Sequence, residues 1–206
     1  DGFQQQNDQL GVAIFLKKKS LLTKQLGKTE IALPLQEEAL QIVMELENEE
    51  EILHIQGNIA MLHFRLKNYD AAEEIWKEVL ARAEQNEYIT GILVGKEGLA
   101  RISKLRGDID AANRFYKESV ELSVKLNQSG LERKEDIRNR CVVQMNYAFF
   151  KRECEEFEAS EKLYKRSLEI ARDLGFSSAI EKCRRGLEII AEKNNHLSGS
   201  NDLELK

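Results

Sequence analysis

Four segments of this chain repeat one another at a fixed spacing, and that period restricts the fold more than any other feature. They are G-K-T-E-I-A-L-P-L-Q-E-E-A-L from Gly27, K-N-Y-D-A-A-E-E-I-W-K-E-V-L from Lys67, G-D-I-D-A-A-N-R-F-Y-K-E-S-V from Gly107 and E-E-F-E-A-S-E-K-L-Y-K-R-S-L from Glu155. Small residues anchor them at Ala32, Ala72, Ala112 and Ser160, spaced 40, 40 and 48 residues apart, so the last repeat has gained eight. Twelve residues before each anchor stands another small residue: Ser20, Ala60, Ala100 and Ala148. Small side chains recurring in pairs are expected where helices approach closely.

The apolar residues between the anchors have helical spacing. Ile52, Ile55, Ile59, Leu62 and Leu66 form one stripe, and Ile137, Cys141, Met145 and Ala148 form another. Thr29, Asn68 and Asp108 are placed to cap or turn into second helices, and the short polar stretches 45–50 and 85–87 require neighbouring helices to run antiparallel. The single proline, Pro34, is expected to kink or delay its helix. The break at 127–132 is the expected place of the eight-residue insertion.

Paired small residues with an aromatic four positions after the second anchor, here Trp76, Tyr116 and Tyr164, resemble the tetratricopeptide repeat. The first repeat has Gln36 at that position, and the proline that usually closes a repeat is missing. The long period is similar to that of kinesin light chains and the sensor arms of bacterial signalling ATPases. Over residues 12–175 the resemblance implies an all-α fold, a right-handed α-solenoid of antiparallel helical hairpins with about four repeats. The expected organisation is an N-terminal extension at 1–11, repeats near 12–48, 49–87, 88–127 and 133–175, a capping helix at 176–195 and a flexible tail at 196–206. The capping helix carries the stripe Phe176, Ile180, Cys183, Leu187 and Ile190. A chain opening at Asp1 without methionine also fits a domain cut from something longer.

Composition narrows the function. A formal charge of −5 argues against a nucleic-acid partner, and the absence of a long uncharged apolar run argues against a membrane-spanning one. Three cysteines without C-x-x-C spacing suggest neither a disulfide framework nor zinc and fit a cytoplasmic protein. There is no phosphate loop, nucleophile elbow or H-E-x-x-H. His54 and His63 lie nine residues apart on one helix, about 13 Å, too far to share a metal. The expectation is a protein that is not an enzyme and uses no cofactor or metal.

The resemblance also implies where a partner binds, because first-helix residues of each hairpin line the inner face in this family. Carried across, those positions give Ile14, Lys17, Leu21, Lys24 and Gln25, then His54, Gly57, Met61, Phe64 and Arg65, then Val94, Glu97, Arg101, Lys104 and Leu105, and finally Val142, Met145, Phe149, Arg152 and Glu153. Six cations stand there against two acids in an acidic protein, with Met61, Phe64, Met145 and Phe149 among them. An acidic or amphipathic protein segment is the expected ligand. Asn58 and Asn146 occupy a position where long-period relatives use asparagine amides to hold peptide backbone, but Gly98 and Lys18 interrupt that series. Met61 and Gly98 also replace asparagines of the chaperone-binding subclass, which excludes that partner. The leading reading is a protein-binding scaffold, such as the sensor or recruitment arm of a larger protein. The alternatives are a peptide-responsive regulatory subunit or receptor and a self-association module, with the oligomeric state open.

Overall fold

A computed structural model describes residues 2–128 and 134–201, and among these all regular structure is helical. The helices are α1 (Gly2–Gln25), α2 (Thr29–Glu45), α3 (Glu49–Arg65), α4 (Tyr69–Gln85), α5 (Ile89–Leu105), α6 (Ile109–Gln128), α7 (Lys134–Glu153), α8 (Phe157–Asp173) and α9 (Ser177–Asn201). The fold is all-α, made of antiparallel hairpins of the solenoid type. From α2 to α6 each helix begins 20 residues after the last, seventeen of helix and three of turn. The 40-residue repeat is therefore two equal halves.

The turns explain that regularity. The residue after each helix end closes the last turn, and the next residue enters the left-handed region: Gly27, Glu47, Lys67, Glu87, Gly107, Glu155 and Gly175 have φ between 50° and 81°. Two hydrogen bonds then fold back onto the helix. After α2, Glu47 N–H donates to the Met44 carbonyl and Asn48 N–H to the Val43 carbonyl, and the same pair recurs at the other described turns. This Schellman pattern satisfies carbonyls that the helix end would orphan. Asn48 and Asp108 then cap the following helices by accepting from the N–H groups of Glu51 and Ala111. Asn68 occupies an N-cap position without a side-chain capping bond, and Lys28 rather than Thr29 is the N-cap of α2. Pro34 does not delay α2, which runs through it.

The eight extra residues are distributed. Helices α6 and α7 are each three residues longer than the common seventeen, and the intervening 129–133, which lie outside the described residues, account for two more than a standard turn. Helix α1 takes in most of the expected extension. Helix α9 continues to Asn201, through the first part of the expected tail, and 202–206 lie outside the described residues.

The chain forms two compact units, Asp1–Phe115 and Tyr116–Lys206. In the first, Ala13, Leu16, Ala39, Val43, Ile52, Ile55 and Ile59 make one core cluster, and Ala60, Ala72, Trp76, Leu99 and Ile102 make the next. In the second, Cys141, Met145, Ala148, Tyr164, Leu168, Cys183 and Ile190 pack together, while Tyr116, Tyr147 and Phe150 stack with centroids 5.2–6.2 Å apart. All eight small anchors are buried. Where serine replaces alanine the approach gains a bond: Ser20 Oγ donates to the Ala32 carbonyl at 2.8 Å and Ser160 Oγ to the Ala148 carbonyl at 2.7 Å.

Lys67 and Glu87 hold a conformation that costs an L-residue about 1 kcal/mol more than glycine. Lys67→Gly and Glu87→Gly are expected each to stabilise the protein by about 0.5–1 kcal/mol, raising the calorimetric midpoint by a few degrees.

Candidate functional site

The predicted contact residues fall into two groups, one in each unit. In the first unit Lys17, Lys24, His54 and Asn58 line one cavity of about 200 Å³ between α1, α2 and α3, together with Lys18, Ser20, Leu21, Gln36 and Leu62. The other first-unit residues stand elsewhere. Met61 and Phe64 are half-buried against the Trp76 cluster, Phe64 meeting Tyr69 and Trp76 with centroids 5.4 and 5.8 Å away. Arg65 is exposed in the last turn of α3, and Arg101 and Lys104 lie half-buried on α5. Gly57 is a contact between first helices, because a Cβ there would stand 2.5 Å from the Val94 side chain.

The positive charge is largely answered within the chain. Lys17 Nζ pairs with Glu51 and stands 3.1 Å from His54 Nδ1. Arg101 pairs with Glu97 at 2.6 Å, one helical turn away, and Arg152 reaches Glu153 at 3.4 Å while lying 4.8 Å above the Phe149 ring. His54, 3.9 Å from Glu51, and then Lys17 pull the Glu51 carboxyl from its ordinary 4.5 to about 2, against the upward push of burial.

In the second unit Met145, Asn146, Phe149 and Arg152 line a cavity of about 450 Å³ formed with α8 and α9, and Tyr164, Lys182, Arg185, Gly186 and Ile189 complete it. Val142 is half-buried on the same helix, outside the lining. The α9 residues are not among the contact residues expected from the sequence, which assigns 176–195 to a capping helix. Their signal was the register, since α9 begins where another first helix would. Lys182 and Arg185 are exposed, and neither is in an ion pair among the described residues. The lining thus combines apolar Met145, Phe149 and Ile189 with three cations, Arg152, Lys182 and Arg185.

Register also explains the broken asparagine series. Trp76 lies flat on Gly98, where a Cβ would come within 2.0 Å of the indole, and Tyr164 lies on Gly186, where one would come within 2.4 Å of the phenol ring. Each glycine is 22 positions after its aromatic, the separation of Gln36 from Asn58. Trp76 and Tyr164 require the next first helix to be bare at that position, whereas Tyr116, stacked on Tyr147, leaves Asn146 in place. Where the second helix carries Gln36, an asparagine fits beside it. Gln36 is buried, and its carbonyl oxygen has no hydrogen-bond partner.

No described group of three or more His, Cys, Asp or Glu side chains could hold a metal ion. Cys141 and Cys183 are buried in one cluster, Cys141 donating to the Ser167 carbonyl at 3.3 Å. Burial pushes the Cys141 thiol up and the Cys183 thiol to about 12, so both behave as small apolar groups. No described helix is long and apolar enough to cross a membrane.

Comparison with known proteins agrees with this architecture. The tetratricopeptide repeat family model matches residues 12–85. No curated protein sequence matches the chain. Among solved structures, BtubC (BKLC) from P. vanneervenii is similar at 16% identity and a TM-score of 0.56, over 97% of this chain and 90% of that one. Aspartyl phosphate phosphatase F from Bacillus subtilis is similar at 12% identity and a TM-score of 0.65, over 95% of this chain but only 50% of that one. A kinesin light chain with TPR-like repeats from Podosopora anserina is similar at 16% identity and a TM-score of 0.58, over 91% of this chain and 89% of that one. At such identities the likeness is one of fold.

Because Glu51 titrates near 2 when folded and near 4.5 when unfolded, its contribution is complete above about pH 4.5 and is lost as pH falls toward 2. Glu51→Gln is expected to lower stability at pH 7 by about 1 kcal/mol after allowance for solvent screening. In chemical denaturation across that window, the difference from the parent should shrink to nothing.

Proposed function

We propose that this chain, of which residues 12–85 match the tetratricopeptide repeat family model, is a non-catalytic scaffold that binds an acidic, amphipathic protein segment. The observation that carries the proposal is the cavity formed by α7, α8 and α9, whose lining combines apolar Met145, Phe149 and Ile189 with the cations Arg152, Lys182 and Arg185. An amphipathic segment needs both parts: apolar side chains gain by leaving water, and carboxylates gain charge-assisted bonds at the rim. Lys182 and Arg185 already project into solvent without a described acidic partner, so binding need not break an internal ion pair there. Arg152 is held over Phe149 and is preorganised. Asn146 adds an amide able to donate to and accept from a peptide backbone.

The first-unit cavity is the secondary contact in this proposal. Lys17 is committed to Glu51 and His54, which leaves Lys18, Asn58 and the partnerless carbonyl of Gln36 to read a ligand. That carbonyl accepts only, so it suits a backbone N–H. The fold family supports protein binding over catalysis, and the low thiol reactivity of Cys141 and Cys183 is in keeping with that role.

The test is a fluorescence-anisotropy titration with a labelled helical peptide that carries Leu at i, i+3, i+4 and i+7 and Glu on the opposite face. Lys182→Glu with Arg185→Glu is expected to weaken binding by about tenfold or more, and added salt should weaken it in the parent. Melting should stay within about 0.5 kcal/mol of the parent, since both positions are exposed. Unchanged affinity in the double variant would remove this cavity from the proposal.

A further inference from the structure

The cavity between α1, α2 and α3 lies where Gln36 stands in the place that the other repeats give to Trp76, Tyr116 and Tyr164. Trp76 and Tyr164 press their rings onto the following first helix at Gly98 and Gly186. Beside the slimmer Gln36 about 200 Å³ stays open. Gln36 is only 3% exposed, and its carbonyl oxygen is buried without a hydrogen-bond partner. An orphaned buried acceptor is destabilising, so this one marks a place for a donor. Its neighbours are committed elsewhere: Ser20 Oγ donates to the Ala32 carbonyl, and Lys17 is paired with Glu51 and His54. The torsion that carries the glutamine amide is broad and roughly two-fold, so a turn about it brings the oxygen to the cavity side.

The groups around Gln36 narrow the chemistry of that donor. Lys18 and Asn58 hold the same repeat position on α1 and α3, and both line the cavity with Gln36. They add an ammonium, which only donates, and an amide, which donates and accepts. A carboxylate would satisfy the lysine but has no proton for the Gln36 carbonyl. A cationic side chain has protons but meets Lys17, Lys18 and Lys24 in the same lining. A primary amide answers both demands and carries no charge. We infer that this cavity is a primary-amide subsite, which takes an asparagine or glutamine side chain of the segment bound by the scaffold. The amide nitrogen donates its two protons to Gln36 Oε1 and Asn58 Oδ1, and the amide carbonyl accepts from Lys18 Nζ. A backbone amide offers one proton and brings chain on both sides, whereas a side-chain amide offers two and enters by its tip. The identity of the ligand as a peptide rests on the scaffold reading; the subsite itself is built from residues of the first unit alone.

The probe is butyramide, titrated into the isotope-labelled full chain while NMR follows the side-chain amide signals of Gln36 and Asn58. Butyrate, with the same carbon chain and no N–H, is titrated in parallel. Butyramide should shift both signals saturably with a Kd on the order of millimolar, as suits so small a ligand. Butyrate should bind at least about tenfold more weakly, because it leaves the Gln36 carbonyl unpaired. Gln36→Met keeps the side-chain length, removes the acceptor and should abolish the saturable response of Asn58. A response that never saturates, butyrate matching butyramide, or a Gln36→Met variant that responds like the parent would overturn the subsite. The first two are read on the parent and stand even where the variant fails to fold. If butyramide does not bind while the Leu and Glu peptide still does, the subsite falls and the scaffold reading stands. Butyramide binding in a chain that captures no peptide would support the amide site and overturn its assignment to a peptide side chain.

Discussion

The close approach of paired helices at small residues is the contact on which the rest depends. Ser20 with Ala32, Ala60 with Ala72, Ala100 with Ala112 and Ala148 with Ser160 are all buried, and each pair is twelve residues apart. A larger side chain at any of them would hold the helices apart and leave Trp76 or Tyr164 without its packing surface. Trp76 and Tyr164 in turn set a condition on the following helix, which is why Gly98 and Gly186 are bare where Asn58 is not. A packing rule inside the hairpin therefore reaches the face on which a ligand would be read.

The second constraint is the three-residue turn. Each described turn uses a left-handed residue and two backfolding hydrogen bonds, and this keeps helix starts on a 20-residue beat from α2 to α6. Only three of the seven left-handed positions are glycine. The protein tolerates the strain at Glu47, Lys67, Glu87 and Glu155 because the hairpin contacts on both sides determine the turn. The lengthened α6 and α7 show the same economy: most of the insertion extends helices already present.

The anchors, the aromatic positions and the helical class were legible in the sequence because they obey a period, and a period survives without coordinates. The left-handed turns at Lys67 and Glu87 were not, since neither residue type signals positive φ. Of the candidate site, only the grouping of residues was legible. Met145, Asn146, Phe149 and Arg152 share one cavity, and Lys17, Lys24, His54 and Asn58 share another. Charge was harder to read. The Arg101–Glu97 pair has the i,i+4 spacing and could have been found, whereas Lys17–Glu51 joins different helices and depends on packing. Lys182 and Arg185 were overlooked because a capping helix was not expected to take the place of a first helix.

The most direct measurement is the unfolding free energy of Ala72→Leu beside Ala81→Leu, both on α4, the first buried at an anchor and the second exposed. Close packing at the anchors predicts a loss of about 1–3 kcal/mol or more for Ala72→Leu and almost none for Ala81→Leu. Equal effects at the two positions would contradict it.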